Sequence, residues 1–252
     1  MPDNSPSHKE LEYYSVWDRT TRWFHWINVI CIIGLVSVGV VILNHKVLGV
    51  NNDGKLLLKT VHVYIGYVFV LNLIWRFIWG FIGNKFVRWK AVLPIGKGYW
   101  HSVNEYIAGT RAGDPPQYLG HNPVAKLMVA FLFLLLAGQA ITGLVLAGTD
   151  LYLPPFGHEI AEWVTRSGEE HEKILNLKPG SNDDVDSEAY AEMRKFRKPF
   201  ITIHVYSFYV LLVAITLHIL AVVLTEVREK NGIVSAMFTG KKVSSKKPVD
   251  LN

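Results

Sequence analysis

The chain has one cysteine, Cys31, among its 252 residues. That scarcity excludes an intrachain disulfide, a c-type haem tethered through C-x-x-C-H and an iron–sulfur cluster held by cysteines. Acidic side chains are missing from four long apolar runs, Trp23–Leu43, Thr60–Ile82, Val124–Ala147 and Pro199–Leu224. Each run is long enough to cross about 30 Å of hydrocarbon. Lys59 and Lys126 stand at the edges of these runs, and only Arg76 lies inside one. A small-residue cleavage pattern is also lacking after the first run, and the residues before it are polar, so the run is expected to stay as a membrane span.

What is present is apolar residues, basic loops and histidine. Half of the residues are hydrophobic and the mean hydropathy is +0.21. The formal charge of +5 comes mostly from loops beside the apolar runs, which excludes it as a sign of nucleic-acid binding and leaves it as a topology signal. Lys9, Arg19 and Arg22 precede the first run; Lys85, Arg88, Lys90, Lys97 and Arg111 lie between the second and third. Arg228, Lys230, Lys241, Lys242, Lys246 and Lys247 follow the fourth. The positive-inside rule then puts both termini and the second loop in the cytoplasm, with the first and third loops outside. The expected fold is an all-α integral membrane four-helix bundle: a cytoplasmic tail 1–22, a membrane domain 23–226 with spans of about 23–43, 60–82, 124–147 and 199–224, an outward loop 148–198, and a basic cytoplasmic tail 227–252.

Histidines occupy three of the four runs. His204 and His218 are fourteen residues apart, a spacing that returns both to nearly one helix face about 21 Å apart along the axis. His25 opens the first run and His62 the second. With alternating helix direction, His62 matches His204 near the outer face, and His25 matches His218 nearer the cytoplasm. Neutral imidazole is a good axial ligand for haem iron, and two pairs at two depths make an electron relay across a bilayer. Hydrogen-bonded packing histidines are the alternative, which explains one or two such residues better than four matched by depth. Gly34, Gly39, Gly66 and Gly143 either admit a porphyrin to the backbone or simply allow close helix packing. Arg22, one turn before His25, and Arg76 either neutralise haem propionates or a quinone oxygen, or snorkel to the interface.

The remaining features are weaker signals. His121 in Gly120-His121-Asn122-Pro123 sits where Pro opens and Asn caps the third span, with a propionate or quinone contact as the second reading. Phe156, Ile160, Trp163 and Val164 fall at helical spacing, as for a short amphipathic helix on the outer membrane surface or over the outer site. Glu169 to Glu192 is an acidic insert, either a solvated loop or a dock for a basic redox partner.

Several pieces together carry a family resemblance: Thr21-Arg22-Trp23-Phe24-His25-Trp26, His62 followed by Gly66-Tyr67 and Arg76-Phe77-Ile78-Trp79, Gly120-His121-Asn122-Pro123, the His204/His218 pair, and the tail from Val227-Arg228-Glu229 to Gly240. From Val16 to Gly240 the chain resembles the cytochrome b subunit of membrane-bound nickel–iron hydrogenases, within the bacterial cytochrome b561-type group. The resemblance implies a subunit of the inner membrane with two non-covalent haem b groups, His25, His62, His204 and His218 as axial ligands, and no catalytic residue of its own. It further implies electron transfer from a periplasmic nickel–iron hydrogenase-like oxidoreductase to membrane quinone. The outward loop is longer than that family leads one to expect, which keeps the partner open: a periplasmic cytochrome c is an alternative, as is a free-standing oxidoreductase of the same fold that reacts with superoxide or a small oxidant. A transporter using membrane histidines calls for polar companions within the spans, which are nearly lacking.

Overall fold

The structure is a computed structural model that describes residues 12–166, 174, 176–181 and 184–251. Four long helices dominate it: α1 (Arg19–Leu43), α2 (Asn52–Ile82), α5 (Pro123–Leu151) and α7 (Ser187–Glu229). All four are long and apolar enough to cross a membrane. Shorter helices connect them: α3 (Trp89–Val92), α4 (Tyr99–Arg111), α6 (Gly157–Thr165) and α8 (Ile233–Thr239). The apolar faces of the long helices are largely uncovered, with Ile30, Leu71, Leu134 and Val213 each at least 60% exposed, as suits a lipid solvent.

Each long helix starts on a side chain that accepts from its first-turn amides. Asp18 takes the Thr21 N–H at 2.7 Å, Asn51 that of Gly54 at 2.8 Å, Asn122 that of Ala125 at 2.7 Å and Asp186 that of Ala189 at 2.8 Å. These caps satisfy amides that have no partner within the helix. Two helices run beyond their apolar cores. α2 begins at Asn52 rather than near residue 60, and α7 begins at Ser187, twelve residues before Pro199. Pro199 removes one backbone donor but does not end the helix, so the polar segment ahead of it is helical too.

The contacts group the described chain into two units, each with segments of all four long helices. One contains Ile27–Ile74 and Leu134–Leu212. Within it Gly34 lets α1 and α2 approach closely, since a Cβ there would meet the Ile65 Cδ1 at 3.3 Å. The helix α6 turns Ile160 and Val164 onto Met193 of α7, and all three are buried. Its apolar face is therefore spent on protein rather than on a membrane surface.

The other unit contains the segments up to Trp26, Trp75–Phe133 and Val213 onward. It holds the only β-structure among the described residues, an antiparallel pair of short strands, β1 (Glu12–Ser15) and β2 (Lys241–Ser244), with Tyr13 opposite Val243. The amides of Val16 and Trp17 then donate to the Gly240 carbonyl at 2.9 and 3.1 Å. Gly240 has φ +82° and its missing Cβ would stand 2.6 Å from the Trp17 carbonyl oxygen, so a side chain is excluded there twice over. Val16, Trp17, Phe86, Val87, Leu119 and Ala236 form a buried cluster over these strands.

Candidate functional site

In the first unit, His62 of α2 and His204 of α7 face each other with ring centroids 6.4 Å apart and planes at 73°. An ion bonded to one nitrogen of each ring at about 2 Å would set the two centroids roughly 6 Å apart, a spacing close to the one this pair has. The pair lines a cavity of about 430 Å³ walled by all four long helices. Glycines open it. A Cβ on Gly39 would stand 3.4 Å from the His62 Cε1, one on Gly143 would stand 3.5 Å from the His204 Cε1, and one on Gly66 would meet nothing within 4 Å. Thr142 Oγ1 lies 2.8 Å from His204 Nδ1 and donates its own proton to the Gly138 carbonyl at 2.7 Å. Its free lone pair thus accepts from Nδ1–H, which leaves the Nε2 lone pair of His204 available to a metal. Gln139 Nε2 donates to the His204 carbonyl at 2.9 Å and to Ser207 Oγ at 2.8 Å, which ties α5 to α7 beside His204.

The second unit holds His25 of α1 and His218 of α7, which lie within electrostatic reach of each other. His25 stands edge-on to Trp26 with ring centroids 5.2 Å apart, and its Nδ1 is buried without a partner. Arg22 donates from Nη1 to the Phe238 carbonyl while its Nε is buried and unpartnered. Arg76 is 4% exposed and so does not snorkel. Its guanidinium carbon lies 4.9, 5.3 and 5.9 Å from the Trp89, Phe133 and Phe24 rings, Nη2 donates to the Val87 carbonyl at 3.0 Å, and Nη1 has no partner. Arg22 and Arg76 are thus two cations with unspent N–H groups in this unit, and such groups are able to donate to an anion.

His121 packs its ring 5.1 Å from that of Trp17, with Nδ1 buried and unpartnered. Burial, then Lys242, Arg76, Lys126 and His218, push its pKa down to about 3, so it is a neutral packing group at ordinary pH. A cavity of about 250 Å³ lies beside it, lined by Lys85, Tyr118, Lys126 and Asp250 among others, but not by His25 or His218. Among the described residues no three His, Cys, Asp or Glu side chains gather around a bare ion, and His62 and His204 meet as a pair. Twofold donation suits a metal whose other ligands come from a macrocycle.

Sequence reading did not find Thr142 and Gln139, which lie 62 and 65 residues from His204. Nor did it find the aromatic cage of Arg76, to which Trp89 and Phe133 come from separate segments. In the acidic insert, Asp186 and Glu188 already have Arg166 as counter-ion at 3.3 and 3.0 Å, which reduces the free negative charge of that surface. Glu169, Glu170, Glu172 and Asp183 lie outside the described residues.

These features define a multi-pass membrane protein built around paired histidines. Residues 16–240 match the family model of the prokaryotic cytochrome b561 family, and the chain belongs to that family of b-type cytochromes. It is similar to the probable Ni/Fe-hydrogenase B-type cytochrome subunit of Rhizobium leguminosarum bv. viciae, with 26% identity over 93% of this chain and 90% of that protein. The corresponding protein of Bradyrhizobium diazoefficiens is 25% identical over 90% of this chain and 85% of its own length. The probable hydrogenase 1 B-type cytochrome subunit of Escherichia coli K12 is 28% identical over 52% of this chain, a match that spans 59% of the E. coli protein. No solved structure matches the chain.

Proposed function

We propose that this cytochrome b holds two haem b groups, one between His62 and His204 and one between His25 and His218, and carries electrons between a periplasmic redox partner and membrane quinone. The facing imidazoles of His62 and His204, 6.4 Å apart in a glycine-opened apolar cavity, are the observation on which the reading rests. When bound, haem b supplies one-electron chemistry between ferric and ferrous iron. The chain's part is to hold and tune it. Thr142 fixes the tautomer of His204; Gly39, Gly66 and Gly143 keep space at the backbone; Arg22 and Arg76 offer N–H groups to an anion, whether propionate or quinone oxygen. The relatives named as Ni/Fe-hydrogenase subunits favour a nickel–iron hydrogenase-like enzyme as the partner, with a cytochrome c as the other redox protein of that compartment. Both termini and the loop 83–123 lie in the cytoplasm of a bacterial inner membrane in this reading, which the distribution of Lys and Arg supports.

Pyridine haemochrome assay of the purified chain is expected to give two b-type haems, extractable by acid acetone. His204→Ala should lose one and His218→Ala the other. Iron well below two per chain, or a reduced spectrum without b-type bands, overturns the proposal. Purification of the intact membrane complex identifies the partner, and reporter fusions after Gly83 and Gly240 against one after Asn52 test the orientation.

A further inference from the structure

The cavity of His62 and His204 has a charged rim. Lys59 of α2 donates to Asp150 of α5 at 2.6 Å, and Arg197 of α7 pairs with the other oxygen of the same carboxylate. Lys55, whose ammonium lies 3.1 Å from His45 Nε2, lines the same cavity. Lys55, Lys59, His62 and Gly66 recur at four, three and four residues, a single stripe of α2, and Arg197 stands seven residues before His204 on one stripe of α7. The cations therefore sit on the faces that present the two histidines. Three of them share one carboxylate, so two positive charges have no counter-charge among the cavity's lining residues. The side chains of Lys59, Asp150 and Arg197 keep only 28, 16 and 23% of their surface, and the one excess positive charge of this triad is costly so far from water unless an anion joins it, while Lys55 adds the second charge from a more open position. An internal ion pair built for stability alone needs one cation per carboxylate.

We propose that Lys59 and Arg197, with Lys55 behind them, anchor the two propionate carboxylates of the haem held between His62 and His204. The inference rests on the ligation proposed above. It supplies what that cavity otherwise lacks: an apolar chamber for a macrocycle, and at one end two uncompensated positive charges for a group that brings two negative ones. Asp150 then orders the two cations rather than neutralising them.

Redox titration of the purified holo-protein tests this, with the haem that His204→Ala removes taken as the reporter. Ferrous haem is more negative than ferric, so loss of a nearby cation disfavours reduction. Lys59→Gln and Arg197→Gln should each lower the midpoint of that haem by about 59 mV or more, a tenfold change in a one-electron equilibrium. Asp150→Asn should raise it, and the other haem should keep its potential in all three. Loss of the reporter haem in the two cation variants but not in Asp150→Asn supports the anchors equally. Shifts of one sign in all three variants, or loss of the haem from all three alike, would make the triad a structural clasp and overturn the inference. Unchanged potentials would overturn it too and leave the cations to lipid phosphates. A wild-type protein with no haem sensitive to His204→Ala refutes the underlying ligation instead, and is distinguishable because it appears before any rim variant is made.

Discussion

The two histidine pairs sit in surroundings of opposite kind. Around His62 and His204 nearly everything comes from the faces of the long helices: glycines on α1, α2 and α5, Thr142 and Gln139 on α5, cations one or two turns along from the histidines. Around His25 and His218 the neighbours come from elsewhere in the chain. The tail supplies the Phe238 and Met237 carbonyls to Arg22 and Trp26, and the segment after α2 supplies Val87 and Trp89 to Arg76. Helix faces give a spacious chamber that is largely apolar apart from its rim of Lys55, Lys59, Asp150 and Arg197. Connecting segments give a close-fitted shell rich in buried donors, several without partners: Arg22 Nε, His25 Nδ1, Arg76 Nη1 and His121 Nδ1. Each environment buries a histidine Nδ1 without a partner, His62 in the first and His25 in the second; the first adds a large cavity with a charged rim, the second a shell built by connecting segments.

Filling the chamber should have the largest effect. Gly143→Ala adds a Cβ in ordinary contact with His204 and is expected to keep both haems, whereas Gly143→Leu drives a branched side chain into the space beside the imidazole. On the ligation proposed above, the haem-to-protein ratio of the Leu variant should fall from two to one, with the haem assigned to His25 and His218 unchanged. A ratio of two would show that the chamber is not defined by its glycines.

The same contrast explains how far residues alone reveal the architecture. Spans, histidines and glycines of the helix faces are legible because helical periodicity and the cost of polar groups in hydrocarbon act on neighbours in sequence. The short amphipathic pattern at 156–164 likewise appears as α6, although its apolar side meets Met193 rather than lipid. Arg76 was ambiguous because its cage is assembled from Phe24, Trp89 and Phe133, which no local pattern connects. The strand pair β1–β2 joins opposite ends of the chain and leaves equally little local signal. Hydropathy marks the apolar runs but not the helix ends, since capping by Asp186 decides where α7 begins, twelve residues ahead of Pro199.

In the hydrogen-bonded shell, acid should be more disruptive than added volume. His121 is held neutral with a folded pKa of about 3, against the ordinary 6.5 of the unfolded chain. Between these values the unfolded state binds a proton that the folded state refuses, so stability is full above pH 6.5 and falls as pH drops toward 3, by up to about 1.4 kcal/mol per unit. Unfolding of the protein in nanodiscs across that window should show the slope, and His121→Gln should flatten it. An unchanged slope would assign acid sensitivity to other groups.

Arg76 offers a smaller test. Arg76→Met keeps much of the volume but removes a charged donor from the Val87 carbonyl and a cation from three aromatic rings, and is expected to cost about 2 kcal/mol in the same unfolding assay. Arg76→Lys should recover little, because an ammonium lacks the planar group that stacks on the rings while one of its N–H groups reaches the Val87 carbonyl. Full recovery by Lys would mean that charge alone matters in this cage.

The smallest effect concerns the tail. Trp26, next to His25, donates from its indole nitrogen to the Met237 carbonyl at 3.0 Å and packs its ring 4.6 Å from that of Phe238. Trp26→Phe keeps most of the ring contact and deletes the donor, so the Met237 carbonyl at the end of α8 loses its partner. The net cost is about 1 kcal/mol. Because the bond joins segments more than two hundred residues apart, its loss should be felt as local opening rather than global unfolding. Amide exchange should therefore quicken about fivefold across α8 and β2 while α6 and the start of α7 exchange as before. Equal acceleration in both regions would break the contrast between the two histidine environments, since it would mean that the tail stabilises the whole membrane domain and not only the shell around His25.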